Sequence, residues 1–235
     1  MDVDAVFFDA GNTLIYPDPP VGHVYADALR RAGVKADPEL MERRFQDAWL
    51  DLRNGQPPGA LEYGADEQEA MDWWRRVVRA SFEPFGQPDV FEEVFQHLWD
   101  HFASPGAWRL YDDALPAIEA LERRGKGVGL ISNWDRRLES LLEGLGLAER
   151  LKWTVVSCRV GVEKPDPAIF RHALSRCGLP PERALHVGDS YEQDVLGARA
   201  AGMRAAWLAR DAATHAAPPD VVMVRRLTEV PDLLD

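Results

Sequence analysis

Asp9, Ser132, Lys164, Asp189 and Asp194 are the residues of this sequence whose types and surroundings could do chemistry together. Asp9 follows the apolar run Ala5-Val6-Phe7-Phe8 and precedes Ala10-Gly11-Asn12-Thr13. A carboxylate at the tip of a buried run can ligate a hard cation or attack phosphorus or carbon. It can equally form a turn. Asp189 stands in a similar place, in Gly188-Asp189-Ser190-Tyr191-Glu192-Gln193-Asp194, after Ala184-Leu185-His186-Val187. Two carboxylates at this spacing can set one on a metal and the other behind it, although Glu192 and Asp194 are also candidate helix caps. Ser132-Asn133 closes another apolar run, where a hydroxyl and loop N–H groups can bind a phosphoryl oxygen or simply make a turn. Lys164, in Glu163-Lys164-Pro165-Asp166-Pro167, could neutralise a nucleophile and a group being transferred, or be a solvated surface lysine.

The elements that must position these residues follow from the apolar periodicity. After Leu110 helices and strands alternate: helix 113–124 with Asp112 or Asp113 as cap, strand 127–131, helix 136–145, strand 153–157, helix 167–177, strand 184–187, helix 193–201, strand 204–208 and a last strand at 221–224. Such alternation predicts an α/β core with a doubly wound parallel sheet. Asp9, Ser132 and Asp189 then lie at the carboxyl ends of strands, where ligands bind in such sheets. Between Tyr16 and Trp108 the rhythm changes. Pro17, Pro19 and Pro20 make a stiff exit, and helical periodicity follows at 24–32, 38–53, 67–82 and 89–102, with a Pro/Gly-rich loop at 54–64. This stretch carries Trp49, Trp73, Trp74, Trp99 and Trp108. They read as the core of a helical bundle, of which one or two could line a pocket.

The chain has 235 residues, 46% of them hydrophobic, and a net charge of −12. That is enough apolar material for a core, and the acidic balance argues against a general nucleic-acid binder. No run approaches the ~18 apolar residues of a membrane span. The acidic start Met1-Asp2-Val3-Asp4 is unlike a signal peptide, so a cytoplasmic address is expected. Cys158 and Cys177 form no Cys-x-x-Cys pair and stand at no zinc spacing to His172 or His186; two reduced, buried thiols are expected. The oligomeric state is not legible.

Taken in order, Asp9 with Thr13, Ser132, Lys164 and Gly188-Asp189 with Asp194 resemble the motifs of the haloacid dehalogenase superfamily, and the resemblance spans the whole chain. The runs Ser132-Asn133-Trp134-Asp135-Arg136-Arg137-Leu138 and Lys164-Pro165-Asp166-Pro167 look closest to its REG-2-like hydrolases. The resemblance implies a Rossmann-like core from residues 1–15 and 109–235 with an inserted helical cap at 16–108. It implies that Asp9 is a nucleophile forming an aspartyl-phosphate. Asp9, Asp189 and the backbone carbonyl of Gly11 would hold Mg²⁺. Thr13, Ser132 and Asn133 would bind the phosphoryl oxygens, Lys164 would compensate charge, and Asp194 would orient Lys164 or a metal-bound water. The substrate would be a small phosphorylated metabolite.

One position departs from the pattern. The superfamily's phosphatases usually carry a second Asp two residues after the nucleophile, as general acid and base; here it is Gly11. Asn12 replaces a usual Gly, a change that Asn tolerates in a left-handed backbone. Losing an acid–base costs about 10²–10⁴ in rate. Another residue could replace it, with His23, Asp18 and Glu192 in plausible reach. The substrate could have a good leaving group and turn over slowly. The chain could also be a non-catalytic binding or regulatory protein. The dehalogenase branch also lacks the second Asp, but it works without metal and lacks Gly188-Asp189. The phosphonatase branch needs a cap lysine, and Lys35 is the sole lysine before Gly125. The expectation is a slow or specialised Mg²⁺-dependent phosphomonoester hydrolase.

Overall fold

The computed structural model describes residues 2–56, 61, 63–210 and 220–234. Its centre is a six-stranded parallel sheet in the order β5-β4-β1-β6-β7-β8. The strands are β1 (Ala5–Phe8), β4 (Gly127–Ser132), β5 (Trp153–Val156), β6 (Ala184–Gly188), β7 (Arg204–Leu208) and β8 (Val222–Val224). Every residue of β1 is buried, as a strand covered on both faces requires. Its side chains alternate between two layers. Val6 and Phe8 pack with Val128, Leu185 and Ile118, while Ala5 and Phe7 pack with Ile131, Ile169 and Phe170. Phe8 pairs with Leu130 on one side and Val187 on the other. Asp9, Ser132 and Gly188-Asp189 therefore emerge at the same end of three adjacent strands.

The helical excursion comprises α1 (Val21–Arg31), α2 (Pro38–Asn54), α3 (Glu67–Phe82) and α4 (Phe91–Ala103). Local chemistry starts two of them: Asp37 accepts from Leu40 N at 2.8 Å and Asp66 from Glu69 N at 2.9 Å. The helices share an apolar core in which Tyr25 meets Phe45, Phe82 and Phe102 edge-on. Of the loop expected at 54–64, residues 57–60 and 62 lie outside the described residues. The sequence did not announce how the excursion joins the sheet. Its two crossings pair with each other as a short antiparallel ribbon of β2 (Ile15–Pro17) and β3 (Trp108–Leu110).

The remaining helices are α5 (Ala114–Arg123), α6 (Arg137–Gly144), α7 (Ser157–Val160), α8 (Pro167–Cys177) and α9 (Gly197–Ala200). Two local expectations need correction. Asp113 sits at the cap of α5 but its side chain makes no cap bond; it accepts instead from Arg210 and from Leu227 N. The helix expected at 193–201 opens earlier, with a π-helical turn at Tyr191–Leu196 capped by Ser190, whose hydroxyl accepts from Gln193 N at 3.2 Å. Cys158 is buried and Cys177 only half-buried; both are free thiols. Among the described residues, no helix is long and apolar enough to cross a membrane.

Candidate active site

Four strand-end loops converge on Lys164. Its side chain is 1% exposed, and its ammonium lies 2.7 Å from Asp9 Oδ1 and 2.6 Å from Asp194 Oδ1. Asn133 fixes the lysine's backbone from both sides. The Asn133 amide nitrogen donates to Lys164 O at 2.9 Å, and Lys164 N donates to Asn133 Oδ1 at 2.8 Å. The side chain of Asn133 thus faces Lys164, a role beyond that expected of it toward a phosphoryl group.

Asp194 is the hub behind the lysine. Its Oδ1 also meets His186 Nε2 at 2.8 Å, and its Oδ2 accepts from Ser190 N at 2.9 Å. The π-helical turn carries this carboxylate inward, a use such turns often have at functional sites. Gly188 makes room for it, because a Cβ there would collide with the Asp194 carboxyl. Burial alone would raise the Asp194 pKa, but the Lys164 ammonium and the His186 bond overcome it and hold the carboxylate well below its usual range. Lys164 shows the mirror image: burial opposes its charge, and Asp194 and Asp9 hold its pKa above the ordinary value.

The other two carboxylates are pushed upward. Burial raises Asp9, with Asp194 adding to it and with Lys164 and Ser132 opposing. Burial, then Asp9 and Asp194, push Asp189 up to about 7. Three carboxylates thus face one ammonium, and ionising all of them leaves the cluster two charges short of neutral. One oxygen from each of Asp9, Asp189 and Asp194 lies within 4.8 Å of the others. Hard oxygen donors with a double deficit fit a small divalent cation. The oxygens of Asp194 are engaged by Lys164, His186 and Ser190. Asp9 and Asp189 are therefore the carboxylates that could hold it. The bridge between Gly11 and Ile15 runs through Ala10 O and Asn12 N, so the Gly11 carbonyl stays outside its hydrogen bonds.

The remaining site residues surround this cluster. Thr13 is fully buried and its hydroxyl donates to Asp189 Oδ1 at 3.3 Å. Ser132 is 1% exposed, and its hydroxyl works against the rise in the Asp9 pKa. Asn12 has φ +54°, the left-handed backbone that an asparagine accepts.

Gly11 has a neighbour that the sequence did not reveal. A Cβ there would stand 3.2 Å from Cζ3 of the Trp134 ring. Beyond it opens a cavity of about 460 Å³ between the helical bundle and the strand ends, with Gly11 and Asn12 in its wall. Trp49, Trp74, Trp99, Trp108 and Trp134 line it, so indoles from the helical stretch reach the cavity in larger number than the one or two expected. His23, Asp18 and Glu192 are not among its lining residues. His23 and Glu192 are exposed, and Asp18 pairs with Arg109 at 3.4 Å.

His186, Trp134, the Asp135–Arg137 pair and Arg210 are the neighbours that sequence reasoning missed. His186 offered the clearest signal, a lone polar residue inside an apolar strand. Arg210 binds both oxygens of Asp113 at 3.0 Å, donates to Thr13 O at 2.8 Å and lies 3.7 Å from the Tyr111 ring centre. It ties the loop after Asp9 to the start of α5.

Comparison with known proteins agrees with this geometry. The profile of the haloacid dehalogenase-like hydrolases matches residues 3–202. The mouse "Haloacid dehalogenase-like hydrolase domain-containing protein 3" is 37% identical over 198 residues, 83% of this chain and 78% of its own length. The Drosophila "Rhythmically expressed gene 2 protein" is 28% identical over 214 residues, 86% of this chain and 81% of its own. A Thermus thermophilus "Phosphoserine phosphatase" is 32% identical over 223 residues, 87% and 88% of the two chains.

Proposed function

The chain belongs to the haloacid dehalogenase-like hydrolases, and from that premise we propose that it hydrolyses a small phosphomonoester by attack of Asp9 on phosphorus. In this reading residues 1–15 and 109–235 are the catalytic core and 16–108 a cap that excludes water. The likeness to a phosphoserine phosphatase supports phosphate as the group transferred.

The observation that carries the reading is Lys164, buried and 2.7 Å from Asp9. Burying an ammonium costs desolvation that close carboxylate partners must offset. Here it would keep Asp9 ionised and face the negative phosphoryl group. Asp9 forms a P–O bond as the ester P–O bond breaks, and the leaving oxygen takes the electron pair. Water then cleaves the acyl phosphate, returning Asp9 and releasing inorganic phosphate. Mg²⁺, held by Asp9, Asp189 and the Gly11 carbonyl, would supply positive charge against the phosphoryl oxygens. Ser132 would donate a hydrogen bond to those oxygens, with loop N–H groups beside it, and Thr13 would join it by turning its hydroxyl from Asp189. Asp194 keeps Lys164 charged and in place.

Rapid mixing with p-nitrophenyl phosphate and Mg²⁺ tests this reading. A burst of nitrophenol in the wild type, absent in Asp9→Asn, is expected, followed by slow turnover. Release that is indifferent to Asp9 or to Mg²⁺ would refute it.

A further inference from the structure

We propose that the alcohol leaving from phosphorus is aromatic, a phenol or an enol-like ring, held flat in the indole-lined cavity and expelled without protonation. This rests on the phosphatase reading and adds the class of substrate.

Two independent observations carry it. The first is the filled space at Gly11. A side chain at position 11 would begin 3.2 Å from the edge of Trp134, whose ring packs against Trp108 at 5.2 Å between centres. Its backbone is fixed too, with Trp134 N donating to Ser157 Oγ at 3.1 Å. Position 11 thus offers no proton donor, and an indole edge stands beside it. The cavity's two carboxylates act only as acceptors in the bonds they make. Asp135 takes Arg137 and the Trp74 indole N–H, and Glu42 takes Gly22 N and Gln46. The phenols that line the cavity, Tyr25 and Tyr63, are weak acids, Tyr25 pushed higher by burial; an aliphatic alkoxide would therefore leave without a carboxylic acid to protonate it, and such an alcohol ionises about as reluctantly as bulk water, with pKa ~16. A phenol ionises near ~10, as tyrosine does, and can leave as its anion.

The second observation is the shape and chemistry of the wall. The cavity, about 460 Å³, begins at Gly11 and Asn12 and continues between Trp49, Trp74, Trp99 and Phe45. That volume suits a small ligand. Indole faces and edges favour another ring, which gains stacking beyond its buried area. Arg137 adds a cation 3.7 Å from the Trp99 ring centre, stiffening that wall. In the reaction the Asp9–phosphorus bond forms as the phosphorus–aryl oxygen bond breaks. The electron pair stays on the aryl oxygen, delocalised into the ring, and the proton is taken up later from water.

Single-turnover mixing of the 235-residue chain and Mg²⁺ with ³²P-labelled phenyl phosphate, cyclohexyl phosphate or acetyl phosphate tests the proposal through phosphorylation of Asp9. Phenyl phosphate is expected to label Asp9 at least 100-fold faster than cyclohexyl phosphate, a ring of similar size with a poor leaving group. In Trp49→Leu, away from the cluster, the affinity for naphthylphosphonate relative to methylphosphonate, read by indole fluorescence, is expected to fall at least threefold. Equal labelling by the two ring esters would overturn the proposal and leave the phosphatase reading standing. So would labelling by acetyl phosphate alone. Unchanged phosphonate selectivity in Trp49→Leu would overturn the cavity's part in it. Labelling by none of the three donors would overturn the phosphatase reading and this proposal with it.

Discussion

The ring of Trp134 stands 3.2 Å from the point where a side chain at Gly11 would start. The two positions are coupled, since a side chain at residue 11 makes the indole give by a few tenths of an ångström. Gly11→Asp alone is therefore expected to give less gain in Mg²⁺-dependent turnover than when the ring is removed as well, because the indole edge crowds the new side chain. Gly11→Asp with Trp134→Ala is expected to raise steady-state turnover of p-nitrophenyl phosphate by about 10² or more, the usual worth of a general acid–base. An equal gain from the single and the double substitution would show that the ring yields freely.

Asp189 carries a penalty that its ligand would remove. Its folded pKa of about 7 lies above that of the unfolded chain. The sign follows directly: the penalty is absent below pH ~4, where the group is protonated in both states, and complete above ~7. Asp189→Asn is expected to raise the metal-free melting temperature at pH 8 by at least ~2 °C. The same substitution is expected to abolish the stabilisation that Mg²⁺ gives the wild type. A variant that melts lower without metal, or still gains from Mg²⁺, would show that Asp189 is not the crowded metal-facing carboxylate. Calorimetric melting with and without Mg²⁺ reads both.

Arg210 joins the loop after Asp9 to α5 through Asp113. Burial would raise the Asp113 pKa, but Arg210 and Leu227 N outweigh it and hold it below the usual carboxylate range. That stability is present above pH ~4 and disappears as pH falls through the lowered folded value. Arg210→Met is expected to cost about 1.5–3 kcal/mol in urea denaturation at pH 7. The difference from wild type should shrink on acidification, since protonated Asp113 no longer needs its partner. A constant difference down to pH 3 would mean that the loss is one of packing alone.

The sheet and its strand-end chemistry were legible because they are local. An apolar run ending at Asp9, another at Ser132 and a third at Gly188-Asp189 each state their own position. Asp113 shows where that reading fails. Its place before a helix suggested a cap, yet Arg210, 97 residues away, takes both its oxygens. The contact of Trp134 with Gly11 and the bond of His186 to Asp194 are likewise products of tertiary packing. Apolar periodicity records which face of an element is buried, but not what meets it there. The π-helical turn that brings Asp194 inward escaped for a similar reason: a helix pattern fixes a face, not an extra residue in one turn.

The ribbon of β2 and β3 has a wider consequence. Because Ile15 lies against Leu110 and Pro17 against Trp108, the chain leaves the sheet and returns to it at one spot. For the sheet, everything between is the loop of a single hairpin, whatever its length. A change in the length of those helices is therefore expected to leave the strand register, and with it Asp9 and Ser132, where they are. The helices over Asp9 and Ser132 thus hang from the sheet by one covalent junction, as a tool head is carried on a handle.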